Sequence, residues 1–190
     1  MSKALLFSAV AAMCAGLSWS ASAQEYENLL PLGDISKLEL RSGAVALQFP
    51  EGMNPKPLFR LHNTRVKMHL THGELPNNWS QLGWKLEGTL GIGSHSWFPG
   101  SHQVFSCYMR SRTTGEQGRY FSSTDPNCEG WTLTEWAPHI TFLNDVQVPG
   151  TVPLYRCYYQ PNLDHYDTLS DTCEGLPGAT RESILGYIYL

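Results

Sequence analysis

Arginine, histidine and glutamate recur as a set in this 190-residue chain: Arg60, His69 and Glu87, and again Arg156, His165 and Glu182. These types suit a sugar. Arginine donates to hydroxyls, glutamate accepts from them, and a nearby ring offers an apolar face. Trp84, Tyr166 and Tyr187 are the candidate rings, and Asp164 precedes His165. The same residues also suit an internal role, an Arg–Glu pair beside a histidine that satisfies backbone groups. Repetition favours the internal role, because every copy has to build the same strands.

Other chemistries find less support. There is no Gly-x-Ser-x-Gly elbow, no His-Glu-x-x-His and no phosphate loop. A carboxylate pair for glycoside hydrolysis is defined by separation in space, which spacing along the chain does not give. The expectation is a protein that is not an enzyme and carries no cofactor. His69 and His72 resemble a metal pair, but residues three apart on a strand face opposite ways, so no metal is expected.

The elements that position these residues come in copies. "SSTDPNCEGW" and "LSDTCEGLPG" share Cys-Glu-Gly, and each follows an aromatic-x-Cys-Tyr run, "VFSCYM" or "PLYRCYY". A first copy without cysteine reads "KPLFRLHNTRVKMHLTH" and then "LGWKLEGTLGIG". The leading aromatics are Phe59, Phe105 and Tyr155, and the trailing glutamates are Glu87, Glu135 and Glu182. The period is about 48 residues over three copies.

Within a copy, alternation predicts strands: Tyr155, Cys157 and Tyr159 share one face, Leu154, Arg156 and Tyr158 the other. No helical period is convincing. Three units are too few for a propeller, and an open stack exposes edges. The fold expected is all-β, a β-trefoil-like closed barrel over 57–190. Its repeats span about 57–101, 102–151 and 152–190, and a short β-hairpin extension over 24–56 turns at Ser42-Gly43.

Residues 1–23 read as an export signal, with Lys3, an apolar run from Ala4 to Leu17 and Ala21-Ser22-Ala23 at the cleavage site. The expected location is secreted or periplasmic. No apolar run is long enough for a membrane span. Without Lys3 the chain has 12 basic and 17 acidic residues, net −5, and no basic run to bind nucleic acid. Cys107, Cys128, Cys157 and Cys173 remain after the signal. No Cys-x-x-Cys pair suggests zinc, and an exported chain favours two disulfides. Both cysteine positions are absent together from the first copy, so pairing within a copy is expected, Cys107–Cys128 and Cys157–Cys173.

The series "VPLYRCYY…DHY…SDTCEG…ESILGYIY" resembles the secreted repeat family called domain of unknown function 5648. Matches in the third copy are Leu154, Tyr155, Arg156, Asp164, His165, Glu182, Gly186 and Tyr187. In the first they are Leu58, Phe59, Arg60, His69, Glu87, Gly88 and Gly91. The second departs: Ser106 replaces the arginine, Arg119 or Tyr120 the histidine, and Trp136 the glycine. The resemblance implies export and frequent attachment to secreted hydrolases that act on polymers.

Two functions follow as expectations. The first is a monomeric module that binds an extracellular polysaccharide or cell-envelope glycan, with Arg60, His69, Trp84, Glu87, Arg156, Asp164, His165, Tyr166, Glu182 and Tyr187 as ligand residues. Trp79, Trp97 and Trp131, beside turn residues, are expected to be exposed. The second is an inhibitor of a secreted hydrolase, since a trefoil with two disulfides also resembles the Kunitz soybean-type inhibitors. The loop 109–119 would then present Arg110 or Arg112.

Overall fold

The computed structural model describes residues 48–75, 78–110, 118–135 and 138–190. The export signal, the hairpin at Ser42-Gly43, Arg112 and Trp136 lie outside them.

The described chain is all-β. The first unit holds β1 (Pro55–Asn63), β2 (Met68–His72) and β3 (Trp84–Ser94). The second holds β4 (Ser101–Met109), β5 (Arg119–Ser123), the two-residue β6 (Thr132–Leu133) and β7 (His139–Asn144). The third holds β8 (Thr151–Tyr159), β9 (Asp164–Thr168) and β10 (Ala179–Tyr189). All ten strands belong to one sheet.

Each unit is built on its first strand, flanked by its second and last strands, all antiparallel. Register is shared. Arg60 stands opposite Thr71, Ser106 opposite Ser122, and Arg156 opposite Asp167. One position further, Leu61, Cys107 and Cys157 face Leu70, Phe121 and Tyr166. Bulges break the pairing of β1 with β3 and of β8 with β10 at matching places.

Alternation along the first strands separates two cores. Leu58, Val104 and Leu154 point one way and meet Leu90, Ile140, Leu143, Leu185 and Ile188 in the central cluster. Full burial of each such side chain is worth roughly 1.5–3 kcal/mol. On the other face, Cys107 and Cys157 enter satellite clusters with Phe121 and Tyr166. The disulfides are Cys107–Cys128 and Cys157–Cys173, with Cα separations of 5.5 and 5.9 Å.

The closed trefoil barrel does not emerge from these pairings. Closing such a barrel requires the last strand of one unit to lie along the first strand of the next. Instead the last strands meet one another through single residue pairs, Ile92 with Tyr189, Asn144 with Tyr187, and Ser94 with Phe142. Among the described residues the second strands β2, β5 and β9 each pair on one side only, so the sheet is open where a barrel would close.

Backbone approach at the meeting point explains two glycines. A Cβ at Gly91 (φ +150°) would sit 2.4 Å from the Tyr189 carbonyl, and one at Gly186 (φ +136°) 2.7 Å from Leu143 Cβ. Both stand at the bulges, opposite Leu58 and Leu154.

Candidate functional site

Arg156 leaves β8 and satisfies partners in two units. Its Nε donates to Glu182 Oε2 at 2.8 Å, within its own unit. Its Nη1 donates to Glu129 Oε1 at 2.7 Å and to the Ser122 carbonyl at 2.9 Å, and Nη2 to Glu129 Oε2 at 3.2 Å. Glu129 and Ser122 belong to the second unit. Arg60 repeats the arrangement one unit along. Its Nε donates to Glu87 Oε2 at 2.7 Å, while Nη1 reaches Glu174 Oε1 and the Asp167 carbonyl, both of the third unit.

The outer glutamate of each clamp comes from Cys-Glu-Gly. Those tripeptides form single 3-10 turns, Cys128–Gly130 and Cys173–Gly175. Cys128, Glu129, Cys173 and Glu174 all take positive φ, between 52° and 60°. Left-handed backbone is costly for non-glycine residues, on the order of 1–3 kcal/mol each, and persists where the surroundings over-determine it. Here the disulfide anchors the turn from beneath and the arginine holds its glutamate. The Arg156 hydrogen bond keeps the Glu129 carboxyl below its usual range, against partial burial. Burial would raise Glu174, but the Arg60 hydrogen bond prevails and lowers it.

The second unit lacks the arginine. Ser106 bonds Thr134 Oγ1 at 2.9 Å instead, and Glu135 is exposed. The first unit carries no Cys-Glu-Gly that an arginine at 106 would meet. Both halves of one clamp are thus missing from the same seam.

Histidine positions follow the strand register. His69, Tyr120 and His165 occupy equivalent places, facing His62, Tyr108 and Tyr158 across the pair; of the two alternatives, Tyr120 stands for the histidine. His69 Nδ1 meets buried Asp164 Oδ2 at 2.5 Å, and Nε2 lies 3.4 Å from Glu87 Oε2. Burial opposes its charge, but the two carboxylates raise its pKa to about 9. His165 keeps the contact to its own glutamate, Glu182, at 3.5 Å. Its buried Nδ1 has no partner among the described residues. The reason is the start of β5, where Arg119 replaces an aspartate and donates to the Asn162 carbonyl.

Most expected ligand residues are therefore committed internally. Arg60, Glu87, Arg156 and Glu182 form the clamps, and Asp164 holds His69. Tyr166 is buried with its hydroxyl on the Cys173 carbonyl at 2.8 Å, so it offers no platform. Tyr187 is half-buried on β10, opposite Pro153 and Asn144. Trp97 is exposed, whereas Trp79 and Trp131 are half-buried, Trp131 against the Cys107–Cys128 cluster. On β2, His72 turns to Glu74 while His69 turns to Asp164.

Of the expected set, Trp84 lines the roomier of two clefts. This cleft, of ≈ 490 Å³, runs between the first and second units and is bounded by Asn63, Arg65, Leu82, Trp84, Tyr108 and Tyr120, among others. Tyr120 lies 6.3 Å from Trp84 and 5.2 Å from Tyr108, ring centre to ring centre. A smaller cleft of ≈ 240 Å³ has Arg60, Glu87 and Glu174 on its wall.

Glu129, Glu174, His62 and Tyr108 are not among the residues expected from the sequence, and Tyr120 is expected only as an alternative at the histidine position. For the glutamates the signal was the repeated Cys-Glu-Gly phrase itself; for His62 it was symmetry about the turn before His69. No family model, curated protein or solved structure matches this chain.

Proposed function

We propose that the chain is an exported, non-enzymatic module that binds polysaccharide, using the cleft between its first two units. The observation that carries this reading is the set of three rings, Trp84, Tyr108 and Tyr120, around a groove of ≈ 490 Å³. Half-buried rings present apolar faces to the weakly polar face of a sugar, and their polar edges suit its hydroxyls. Arg65, exposed on the rim, adds a donor. Two disulfides accord with an oxidising compartment. The resemblance to the secreted repeat family supports the same class, as does the repeated register, which we read as internal repetition.

The test is retention of the purified protein on chitin, cellulose and peptidoglycan, with soluble oligosaccharides titrated in parallel. Trp84→Ala and Tyr120→Ala should each abolish retention while leaving a cooperative melt. Arg156→Ala should lower the melting temperature and leave affinity of the folded protein unchanged. Retention of Trp84→Ala equal to the parent, or no retention of the parent by any polymer, removes the reading. Inhibition of trypsin, lost in Arg110→Ala, would instead support a hydrolase inhibitor.

A further inference from the structure

His62 and His69 face each other across the β1–β2 pair. Their rings are stacked, 4.4 Å between centres and 12° from parallel. Glu87, from β3 on the other side of β1, joins them. One ligand atom from each of the three lies within 4.8 Å of the others. Two histidines and a carboxylate are a donor set for zinc that leaves a fourth position open.

The atoms not facing the cluster are already held. His69 Nδ1 is fixed by Asp164, which is itself buried. Glu87 Oε2 accepts from Arg60 Nε at 2.7 Å, and Oε1 is the oxygen turned to His62 Nδ1, 3.8 Å away. A carboxylate on the far nitrogen of a ligating histidine orients the ring and raises its basicity, and such partners govern affinity. Thus two of the three ligands have their outer-shell partners in place before any ion arrives. Solvent reaches all three, whose side chains are 27%, 19% and 29% exposed for His62, His69 and Glu87.

The other units act as internal comparisons. The third keeps His165 and Glu182, but Tyr158 stands where His62 does and His165 Nδ1 has no carboxylate. The second has Tyr108 and Tyr120. Only the first unit, among the described residues, combines both imidazoles, the carboxylate and the supporting aspartate.

We propose that His62, His69 and Glu87 bind one divalent transition ion, zinc foremost, through His69 Nε2, a nitrogen of His62 and Glu87 Oε1. Tetrahedral ligand atoms stand roughly 3.3 Å apart when bonds are about 2.0–2.1 Å, so the site contracts on loading. Parallel rings do not both aim lone pairs at one ion, so His62 tilts out of the stack. The site is independent of the polysaccharide reading, because it shares no residue with the aromatic cleft.

The experiment is calorimetric titration of the full exported protein with Zn²⁺ near pH 8, alongside visible absorption with Co²⁺. One ion per chain is expected, with a tetrahedral Co²⁺ spectrum. His62→Phe keeps a ring stacked on His69 without a nitrogen, and should weaken binding at least tenfold while melting as the parent does. Asp164→Asn should weaken it about 10–100-fold, as outer-shell losses do. His95→Ala, an exposed histidine elsewhere, should bind as the parent does. Absence of one-site binding in the parent overturns the proposal. So does undiminished binding by His62→Phe, or loss of binding in His95→Ala alone.

Discussion

Arg156 and Glu129 stand 27 residues apart in different units, yet two nitrogens of one meet two oxygens of the other at 2.7 and 3.2 Å. This paired geometry is repeated by Arg60 and Glu174, so each clamp ties two units together.

Breaking a clamp should cost stability. Arg156 is 8% exposed, and its removal leaves Glu129 and Glu182 without their cation. Arg156→Ala should destabilise by about 2 kcal/mol, within the range for hydrogen bonds to charged groups. The double variant with Glu129→Ala should be less destabilised than the sum of the singles, by about 0.5 kcal/mol or more. Denaturant melts of the four proteins measure this. Ser106→Ala should cost no more than about 1 kcal/mol, since it loses one neutral bond to Thr134.

The disulfides should matter more than their number suggests, because each also supports a left-handed turn. Replacing both Cys157 and Cys173 by serine should cost about 2–5 kcal/mol. It should also weaken the Arg60–Glu174 clamp, so Arg60→Ala should do less damage in that background. Peptide mapping without reduction should recover Cys107 linked to Cys128.

Much of this was legible beforehand for a local reason. Alternation in "PLYRCYY" fixes which residues share a face, and the joint absence of two cysteines from the first copy identifies the bridged pairs. The clamps were hidden because an arginine in one unit takes its second carboxylate from another, a relation that aligning the copies does not display. The sheet is open where a closed barrel was expected, and the reason is similar. Unit length and number constrain what each copy builds, not which strand of the neighbour it meets.

Stability should peak in mildly acidic solution. His69 is raised from 6.5 to about 9, so its contribution is complete below 6.5 and fades as pH rises through 9. Glu87 is lowered from 4.5 to about 2, so its contribution is complete above 4.5 and is lost as pH falls through 2. Melting temperature against pH should therefore decline on both sides of roughly 4.5–6.5. Asp164→Asn removes a partner of His69 and should flatten the alkaline limb; an unchanged limb would assign that decline to another group.

The bulge glycines should resist replacement. Gly91→Ala places a methyl against the Tyr189 carbonyl at 2.4 Å, in a conformation that L residues avoid. A loss of about 2 kcal/mol or more is expected from strain and lost pairing. Gly88→Ala, with nothing within 4 Å of the added Cβ, should be mild by comparison.

Among the described residues, two of the three seams carry a clamp, and the third, between the first and second units, carries Ser106 and the aromatic cleft. Amide protons need not then exchange uniformly. Opening that breaks fewer charged contacts costs less free energy, so local fluctuations should concentrate along the unclamped seam. The molecule would breathe on one side while the other two stay shut. A groove placed there gains access to its guest without unfolding the rest, and a guest that bridges Trp84 and Tyr120 would slow exchange at the seam that, among the described residues, carries no Arg–Glu clamp.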